Sequence, residues 1–533
     1  MARGSRHQKK DPIEEERNRR KKLKRVMSDE QHQPNKYLLD PLKVLQDSLL
    51  GQWAIDIDNF VKEGGPQHRQ RKSSSAANCT LFRVPANMRE LNMSAYSPKL
   101  VSIGPFYNND GRFHAMEEHK MRYLLGILAR FNEQGRVIVL DLFQEQENPL
   151  KKEYTNIEKL VLLMTSLEKE TRKCYSESFD YFPSHEFVMM MLLDGCFVIE
   201  LLRLYNKFFG YEEIQDPIFE ARWMLPILQR DLFMLENQLP FFVLERLFKL
   251  TSLDEKETPL VELTLKFFDS LLPREMKLLK EKFSKMADKD HDHLLGLFRS
   301  SFTSTLKSKQ EHPSSVSAGS SNNRNNGTKM TVITVDGETE VTPQEERRLV
   351  HAVTELLEAG VKFKKRTDWD LLDIAFVNGV FQIPPLIVDD YTIPFFLNMV
   401  AYEQCCPYRD PYFTDYVLFF DSLVNSPKDV EILHYEGIIE HVMGSDEVVA
   451  NLFNKLCREV VYDVDGCYLS QHLKQVNRYT ERKWNLWRAK LMHDYFNSPW
   501  AFISLMAAII LLWLTIAQTL FAFLSYFNPP KAT

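Results

Sequence analysis

The sequence predicts a mainly α-helical protein with a small β-hairpin element, an α+β body followed by one C-terminal transmembrane helix. Three observations lead to this fold class. Long stretches of the 533 residues repeat apolar side chains at helical spacing. Asn378-Gly379 stands between two apolar runs of strand character, which is the strongest short signal for a hairpin. Residues 499–527 contain no charged side chain at all.

Composition and charge indicate a globular body with a distinct N-terminus. The chain is 44% hydrophobic and 26% charged, and its length fits two to four domains. The formal net charge is −6, yet residues 1–36 hold 12 Lys/Arg against 6 Asp/Glu. We interpret residues 1–78 as a basic, largely disordered extension that could contain a helix. Its cluster RNRRKKLKR (17–25) could instead contact anionic lipid or direct nuclear import; no nucleic-acid partner is expected.

Residues 79–299 form the helical first half of the body, and FVMMMLLDGCFVIELL (187–202) is its most apolar stretch. It is too short and too acidic for a membrane span, so we predict a helix that is buried on nearly all sides. Asp194 inside it needs a partner, because a buried carboxylate is costly when it is unpaired. Arg172, Arg222 and Arg230 are candidates for that partner, and a general-acid role is the alternative.

The stretch QRDLFMLENQLPFFVLERLF (229–248) predicts two buried helices with polar residues between them. A first helix that ends near Glu236 would make Asn237 a natural cap and place Pro240 in the first turn of the second helix. Glu236 and Asn237 would then satisfy backbone groups at the helix ends. The competing hypothesis makes Asp194, Asp231 and Glu236 the acids of an enzyme, in a cleft between the two halves.

A Ser/Asn-rich stretch at 300–341 predicts a flexible insertion that separates the first half from a second half at 342–497. Thr342-Pro343-Gln344-Glu345 forms a capping box, and the helix that it begins should end at Gly360. The hairpin at Asn378-Gly379 follows. Further helices should begin at Ser426-Pro427 and at Ser445.

Residues 498–527 are predicted to cross a membrane, since about 20 apolar residues suffice for a helix to span a bilayer. Pro499 suits the first helical turn, and Trp500 and Tyr526 resemble aromatic anchors at the two interfaces. Trp513 lies within the span, where Gln518 could hydrogen-bond to a partner helix. Only the short tail 528–533 follows, so insertion should occur after translation has finished.

Flanking charge predicts the orientation of this span. Five basic residues lie within 478–493, whereas Lys531 is the basic residue beyond the span, so the body should face the cytoplasm. Seven cysteines without CxxC spacing, and no apolar signal peptide at the N-terminus, agree with a reducing compartment. The sequons at Asn78, Asn92 and Asn326 would then carry no glycan. The membrane itself should be the plasma membrane or an endomembrane.

No pattern of catalytic chemistry emerges from the chain. It lacks GxxxxGK[ST], GxSxG, HExxH and the kinase signatures. His291-Asp292-His293 resembles part of a metal site but has no third ligand at a recognisable spacing. Cys405-Cys406 could be a reactive thiol site, although buried inert thiols are the simpler interpretation. We therefore predict no catalytic residue, no cofactor and no metal.

Eight motifs in a fixed order make the chain resemble the plant family called domain of unknown function 247. They are VPANMRELNMSAYSPKLVSIGPFYN (84–108), MEEHKMRYL (116–124), RKCYSE (172–177), FVMMMLLDGCFVIELL (187–202), DLFMLENQLPFFVLERL (231–247), ELLEAGVKFKKR (355–366), FVNGVFQIPPLIVDDYTIPFFLNMVAYEQC (376–405) and PWAFISL (499–505). The resemblance covers roughly 80–528. It implies a plant membrane protein with a C-terminal span and supplies no catalytic residues.

Some members of that family lie at grass self-incompatibility loci and are proposed as pollen-side determinants. The resemblance thus implies recognition or signalling through protein–protein contacts, with a partner that the sequence does not name. An uncharacterised enzyme, and a trafficking or lipid-binding factor that uses the basic tail, are the two alternatives.

Overall fold

Helices make up most of the chain that the computed structural model describes. The described residues are 79–482, apart from 109, 137, 139–154, 255, 312–330, 333–348, 368, 407 and 464–465, together with 499–527. The predictions for the extension 1–78, the capping box at Thr342 and the tail 528–533 lie outside these residues. The mainly helical fold class with a small hairpin is confirmed.

The first half is built around one long central helix. Its helices are α1 (Ala86–Leu91), α2 (Met93–Tyr96), α3 (His114–Glu133), α4 (Asn156–Lys173), α5 (Ser184–Phe209), α6 (Pro217–Glu220), α7 (Met224–Phe233), α8 (Phe241–Thr251), α9 (Leu260–Phe268), α10 (Met276–Ala287) and α11 (Leu294–Glu311). Helix α5 packs against α3, α4, α8 and α9, as its apolar sequence predicts. Gly195 permits this packing, because a Cβ there would overlap the side chain of Leu247 on α8.

Among its described residues, the second half combines six helices with short strands. Its helices are α12 (Val353–Glu358), α13 (Thr392–Cys405), α14 (Tyr412–Leu423), α15 (Pro427–Tyr435), α16 (Asp446–Leu456) and α17 (Ser470–Thr480). The strands are β1 (Thr331–Val332), β2 (Lys362–Lys365), β3 (Ala375–Val377), β4 (Val380–Ile383), β5 (Leu386–Val388), β6 (Ile439–His441) and β7 (Val461–Tyr462). Ser426 and Ser445 occupy the N-cap positions of α15 and α16, where the sequence places the helix starts.

The predicted hairpin joins β3 to β4. Asn378 and Gly379 have φ values of 50° and 81°, the two left-handed positions that a tight antiparallel turn needs. Strand β2 adds to β4 in parallel, with Phe363 opposite Phe381. Two further pairs are the parallel β5–β6 and the antiparallel β1–β7.

The boundaries around the Ser/Asn-rich stretch differ from those expected. Helix α11 continues to Glu311, well into the segment interpreted as a flexible insertion, because Phe302 is fully buried against Phe298 and Phe413. Thr331 and Val332 pair with Tyr462 and Val461, so part of that segment extends a strand. After the insertion, Leu349 and Val350 lie in a bend, and the helix begins only at Val353.

One aromatic core joins the two halves. The ring of Phe233 on α7 stacks on that of Phe395 on α13, with centroids 4.9 Å apart, and Phe298 meets Phe395 edge-on at 6.2 Å. The described residues from 79 onward accordingly form one compact unit. The halves seen in the sequence therefore share a core rather than forming separate domains.

The final helix, α18 (Pro499–Phe527), is apolar and exposed along its described side chains. Within the described part of the chain, one helix is long and apolar enough to cross a membrane, at Ile503–Leu524, and none of its most apolar window is buried in the protein. Trp500 and Trp513 are 80% and 68% exposed. The hydroxyls of Thr515 and Thr519 donate to carbonyls of the same helix, whereas Gln518 is exposed.

Candidate functional site

The most unusual feature of the body is a buried polar turn between α7 and α8. Glu236, Asn237 and Gln238 are at most 1% exposed, although all three are polar. Helix α7 ends at Phe233, not near Glu236 as predicted, and Pro240 is the N-cap of α8 rather than part of its first turn. The turn is therefore longer than the sequence pattern implies, and this length leaves its side chains free to reach other segments.

Glu236 binds the segment that leads into the first helices. Its carboxylate accepts hydrogen bonds from the Val84 backbone N–H at 2.7 Å and from the Tyr107 hydroxyl at 2.8 Å. It also forms an ion pair with Arg89, while the Arg83 guanidinium lies 3.6 Å away. These donors and the cationic partner satisfy the buried carboxylate.

Asn237 bonds both to a distant segment and to the end of α7. Its Oδ1 accepts from the Ile103 N–H at 2.6 Å, and its Nδ2 donates to the Val101 carbonyl at 3.0 Å. The same Nδ2 donates to the Asp231 carbonyl at 2.9 Å, so it does satisfy one backbone group at the end of α7. Gln238 acts similarly on the carbonyl of Met234 at 3.0 Å. The turn thus forms hydrogen bonds both with the end of α7 and with a distant segment.

Asp231 binds the same distant segment, residues 97–107, which we call the docked segment. Its carboxylate accepts three consecutive backbone N–H groups, from Lys99, Leu100 and Val101, at 2.6–3.1 Å. Burial raises the pKa of Asp231, although these hydrogen bonds and Arg230 oppose the rise. Its oxygens therefore hold backbone in place inside the core.

Asp194 on α5 completes the attachment of the docked segment. Its Oδ2 accepts from the Gly104 N–H at 2.8 Å, and its Oδ1 lies 2.6 Å from the Lys120 Nζ. The Lys120 ammonium also donates to the Ser102 carbonyl at 2.6 Å and pairs with Glu117 at 2.7 Å. Burial raises the pKa of Asp194 to about 6 against the opposing effect of Lys120. Burial alone would lower the pKa of Lys120, yet Asp194 and Glu117 raise it.

The partner of Asp194 is thus Lys120 and none of the three arginines named from the sequence. Arg172 pairs with Glu168 and donates to the carbonyls of Phe179 and Phe182, and Arg230 donates to the Ser94 carbonyl. Arg222 is exposed at the surface. Helical periodicity could have identified Lys120 as a buried cation, because it lies on the same face of α3 as the buried residues Met116, Tyr123 and Leu124.

Gly104 is required where the docked segment turns. Its φ is +75°, and a Cβ there would lie 2.8 Å from the Gln238 carbonyl oxygen and 3.1 Å from the Tyr175 hydroxyl. Any larger residue would push the segment away from Asp194.

A second group of polar side chains holds the two halves together. Asn398 on α13 donates to the Ala95 carbonyl and accepts from the Leu235 N–H, both at 3.0 Å. Glu403 pairs with Arg299 at 2.7 Å and accepts from the Thr414 N–H at 2.8 Å. Sequence reasoning missed both residues, although an isolated Asn and Glu in the apolar run FFLNMVAYEQC was a usable signal.

The histidine and cysteine candidates also lie in the protein interior. His293 is fully buried, and burial lowers its pKa to about 4, while the His291 ring packs edge-on to Phe241 at 5.4 Å. Burial raises the pKa values of Cys405 and Cys406 to about 11 and 12. No three His, Cys, Asp or Glu side chains among the described residues are placed to share a metal ion.

A groove of about 320 Å³ does lie between the two halves. Its walls include Arg274 and Phe302 from the first half, and Trp369 and Pro385 from the second. Asp194, Asp231 and Glu236, the acids of the inter-half enzyme hypothesis, do not line it. Their oxygens instead bind backbone and cations in the core.

The structure therefore defines a helical body whose segments are held together by buried polar side chains. One exposed apolar helix follows this body. The chain belongs to DUF247, a family of plant proteins of unknown function, whose sequence model matches residues 81–514. It is 32% identical over 464 residues to UPF0481 protein At3g47200 of Arabidopsis thaliana, which covers 86% of this chain and 89% of that protein.

A second Arabidopsis thaliana relative, Putative UPF0481 protein At3g02645, is 22% identical over 528 residues, 88% of this chain and 94% of that protein. No solved structure matches this chain significantly. The family resemblance seen in the motifs is confirmed.

Proposed function

We propose that this protein is held in a membrane by α18 and acts in recognition or signalling through protein–protein contacts of its body. The observation that carries the proposal is the helix Ile503–Leu524, 22 residues long and unburied. Leaving so much apolar surface in water would be strongly unfavourable, and a bilayer is the environment that removes the cost. Its exposure argues against a buried core helix.

The polar core supports a non-catalytic body. Asp194 and Glu236 are each paired with a cation, and Asp231 accepts three backbone N–H groups. A general acid or base needs an oxygen that can reach a substrate. The oxygens of these three carboxylates instead accept hydrogen bonds that hold the docked segment in place, which is a structural role.

We place the body in the cytoplasm, at the plasma membrane or an endomembrane. The basic residues of 478–493 on the body side of the span, against Lys531 beyond it, support that orientation. The basic cluster at 17–25 would then face the anionic lipids of the cytoplasmic leaflet, a contact that adds to anchoring.

Protease protection on microsomes, with a tag at each end of the chain, tests anchoring and orientation together. We expect the N-terminal tag to be digested and the C-terminal tag to be protected until detergent is added. Carbonate extraction should leave the protein in the pellet. A protein that carbonate releases would refute the anchor. A protected body with glycan on Asn92 would refute the orientation and favour recognition at the cell exterior.

We further propose that the Ser/Asn-rich segment 300–341 contributes to the choice of partner, and that self-incompatibility is one process in which such recognition would act. The described residues of this segment belong to α11 and β1. Proximity labelling in plant cells should return different partners when residues 312–330 are exchanged for those of a relative. Exchanging the exposed turn around Gly444 serves as the control. An identical partner set after both exchanges would refute this role.

A further inference from the structure

Four of the seven free thiols come from three chain segments that meet around Cys79. Cys79 precedes Thr80 and Leu81, whose backbone N–H groups donate to the Cys174 carbonyl at 3.0 and 2.9 Å. The Ser176 N–H donates back to the Leu81 carbonyl at 2.8 Å. This pairing limits the distance between the Cα atoms of Cys79 and Cys174 to about 8 Å. A disulfide needs roughly 4.4–6.8 Å, which a small shift of one segment reaches.

The four thiols also influence one another's pKa values. Burial is the largest cause of the raised pKa of Cys174, and Cys79 raises it further. Cys79 has the same effect on Cys405 and Cys406 at the end of α13. Cys79 is thus the group that affects all three of the other thiols.

Exposure and backbone pairing together select one pair from this group. Cys79 and Cys174 are both partly exposed residues. Cys406 is buried, and Cys405 lacks the backbone pairing that aligns Cys174 with the Cys79 segment.

We propose that Cys79 and Cys174 form a reversible disulfide that ties the segment before α1 to the C-terminal end of α4. The oxidant is a low-molecular-weight disulfide such as oxidised glutathione. The Cys79 thiolate attacks one of its sulfur atoms and releases one glutathione thiol. The Cys174 thiolate then attacks the mixed disulfide and releases the second, so that two protein thiols and one disulfide give one protein disulfide and two glutathione thiols.

The disulfide would hold in place the segment before α1, which contacts the polar turn. Val84, which donates to Glu236, lies five residues after Cys79, so the disulfide keeps this segment from leaving the turn. The reducing glutathione pool of the cytoplasm holds both thiols free, and an oxidising compartment closes the bond. The same pair thus responds to the compartment that the body faces.

Peptide mapping of the full chain in detergent micelles tests the proposal. The protein is incubated with millimolar oxidised glutathione, free thiols are alkylated, and disulfide-linked peptides are identified by mass spectrometry. We expect a Cys79–Cys174 link that dithiothreitol removes and that Cys79→Ser and Cys174→Ser each abolish. Cys196→Ser, at a fully buried thiol of α5, should leave the link intact.

The oxidised protein should also melt several degrees above the reduced one, because the bond closes a loop of nearly 100 residues. Cys79→Ser should remove that shift and keep the melting temperature of the reduced protein. Recovery of both cysteines as alkylated or only glutathionylated would refute the proposal. A link from Cys79 to Cys405 or Cys406 in place of Cys174 would refute it equally.

Discussion

Replacing Asp194 by Asn should destabilise the body by about 3 kcal/mol. Two donors bind separate oxygens of the carboxylate, the Lys120 ammonium at 2.6 Å and the Gly104 N–H at 2.8 Å. An amide has one accepting oxygen, so its NH₂ group must face one of these donors. The loss of one hydrogen bond to a charged group costs about 1.5–3 kcal/mol, and the buried ammonium loses a counter-ion as well.

Lys120 keeps some compensation in this variant, from the Ser102 carbonyl and the partly exposed Glu117. This remaining pairing is why the expected cost lies at the lower end of the range for a broken buried ion pair, about 3–5 kcal/mol. Lys120→Met should reduce the unfolding free energy by a similar amount, because it leaves the buried Asp194 carboxylate without its cationic partner. The double variant should be more stable than the sum of the two single losses by at least about 1.5 kcal/mol.

The assay is equilibrium unfolding of the full chain in detergent micelles, followed by intrinsic fluorescence. Glu186→Gln is the matched control, because Glu186 is an exposed carboxylate on the same helix and its change should stay within about 0.5 kcal/mol. If Asp194→Asn matched this control, the carboxylate would not be a structural group of the core. Retention of the fold together with loss of a biological activity would instead favour the acid as a functional group.

Three further changes test other parts of the structure. Burial raises the pKa of Asp415 to about 7, above about 3.9 in an unfolded chain, so its stabilising contribution is complete below pH ~4 and is lost as the pH rises through 7. The unfolding free energy of the wild type, relative to Asp415→Asn, should therefore fall by about 3 kcal/mol between pH 5 and pH 8; a constant difference would contradict this. Gly379→Ala should cost about 1–3 kcal/mol in the same assay, since φ is +81° and the new Cβ would lie 2.7 Å from the Tyr479 ring. Gly444→Ala, with φ +79° and open space, should cost less, and an equal loss would show that the ring contact is unimportant. Leu514→Arg should weaken membrane insertion by about 3 kcal/mol and increase release by carbonate, unlike Leu514→Ala; no difference between the two would count against a span.

Sequence reasoning succeeded where the determining interactions are local. The hairpin follows from two residues that tolerate a left-handed backbone, and the starts of α15 and α16 follow from Ser426 and Ser445 at their N-caps. It failed at the turn after α7, where an uninterrupted apolar pattern predicts that the helix continues to Glu236. The hydrogen bonds that Asn237 donates to the Val101 carbonyl and accepts from the Ile103 N–H favour an earlier end, and no local pattern contains them.

The candidate site shows the same division between local and long-range information. The sequence singles out Asp194, Glu236 and Asn237, because polar side chains in apolar runs must find partners when they are buried. It does not select Lys120 or Arg89 as those partners, since dozens of cations elsewhere in the chain are equally plausible. Separation along the chain is the obstacle, and Asn398 donates to a carbonyl 303 positions away.

The sequence by itself determined the helical class, the hairpin and the apolar C-terminal helix, because composition, spacing and turn chemistry act over a few residues. Tertiary structure alone decided that the two halves share one core, that α11 extends into the Ser/Asn-rich segment, and that Asp194 pairs with Lys120. Those outcomes depend on which apolar surfaces pack against each other and exclude water. Only the packing of the whole body settles which donor stands beside each buried acceptor.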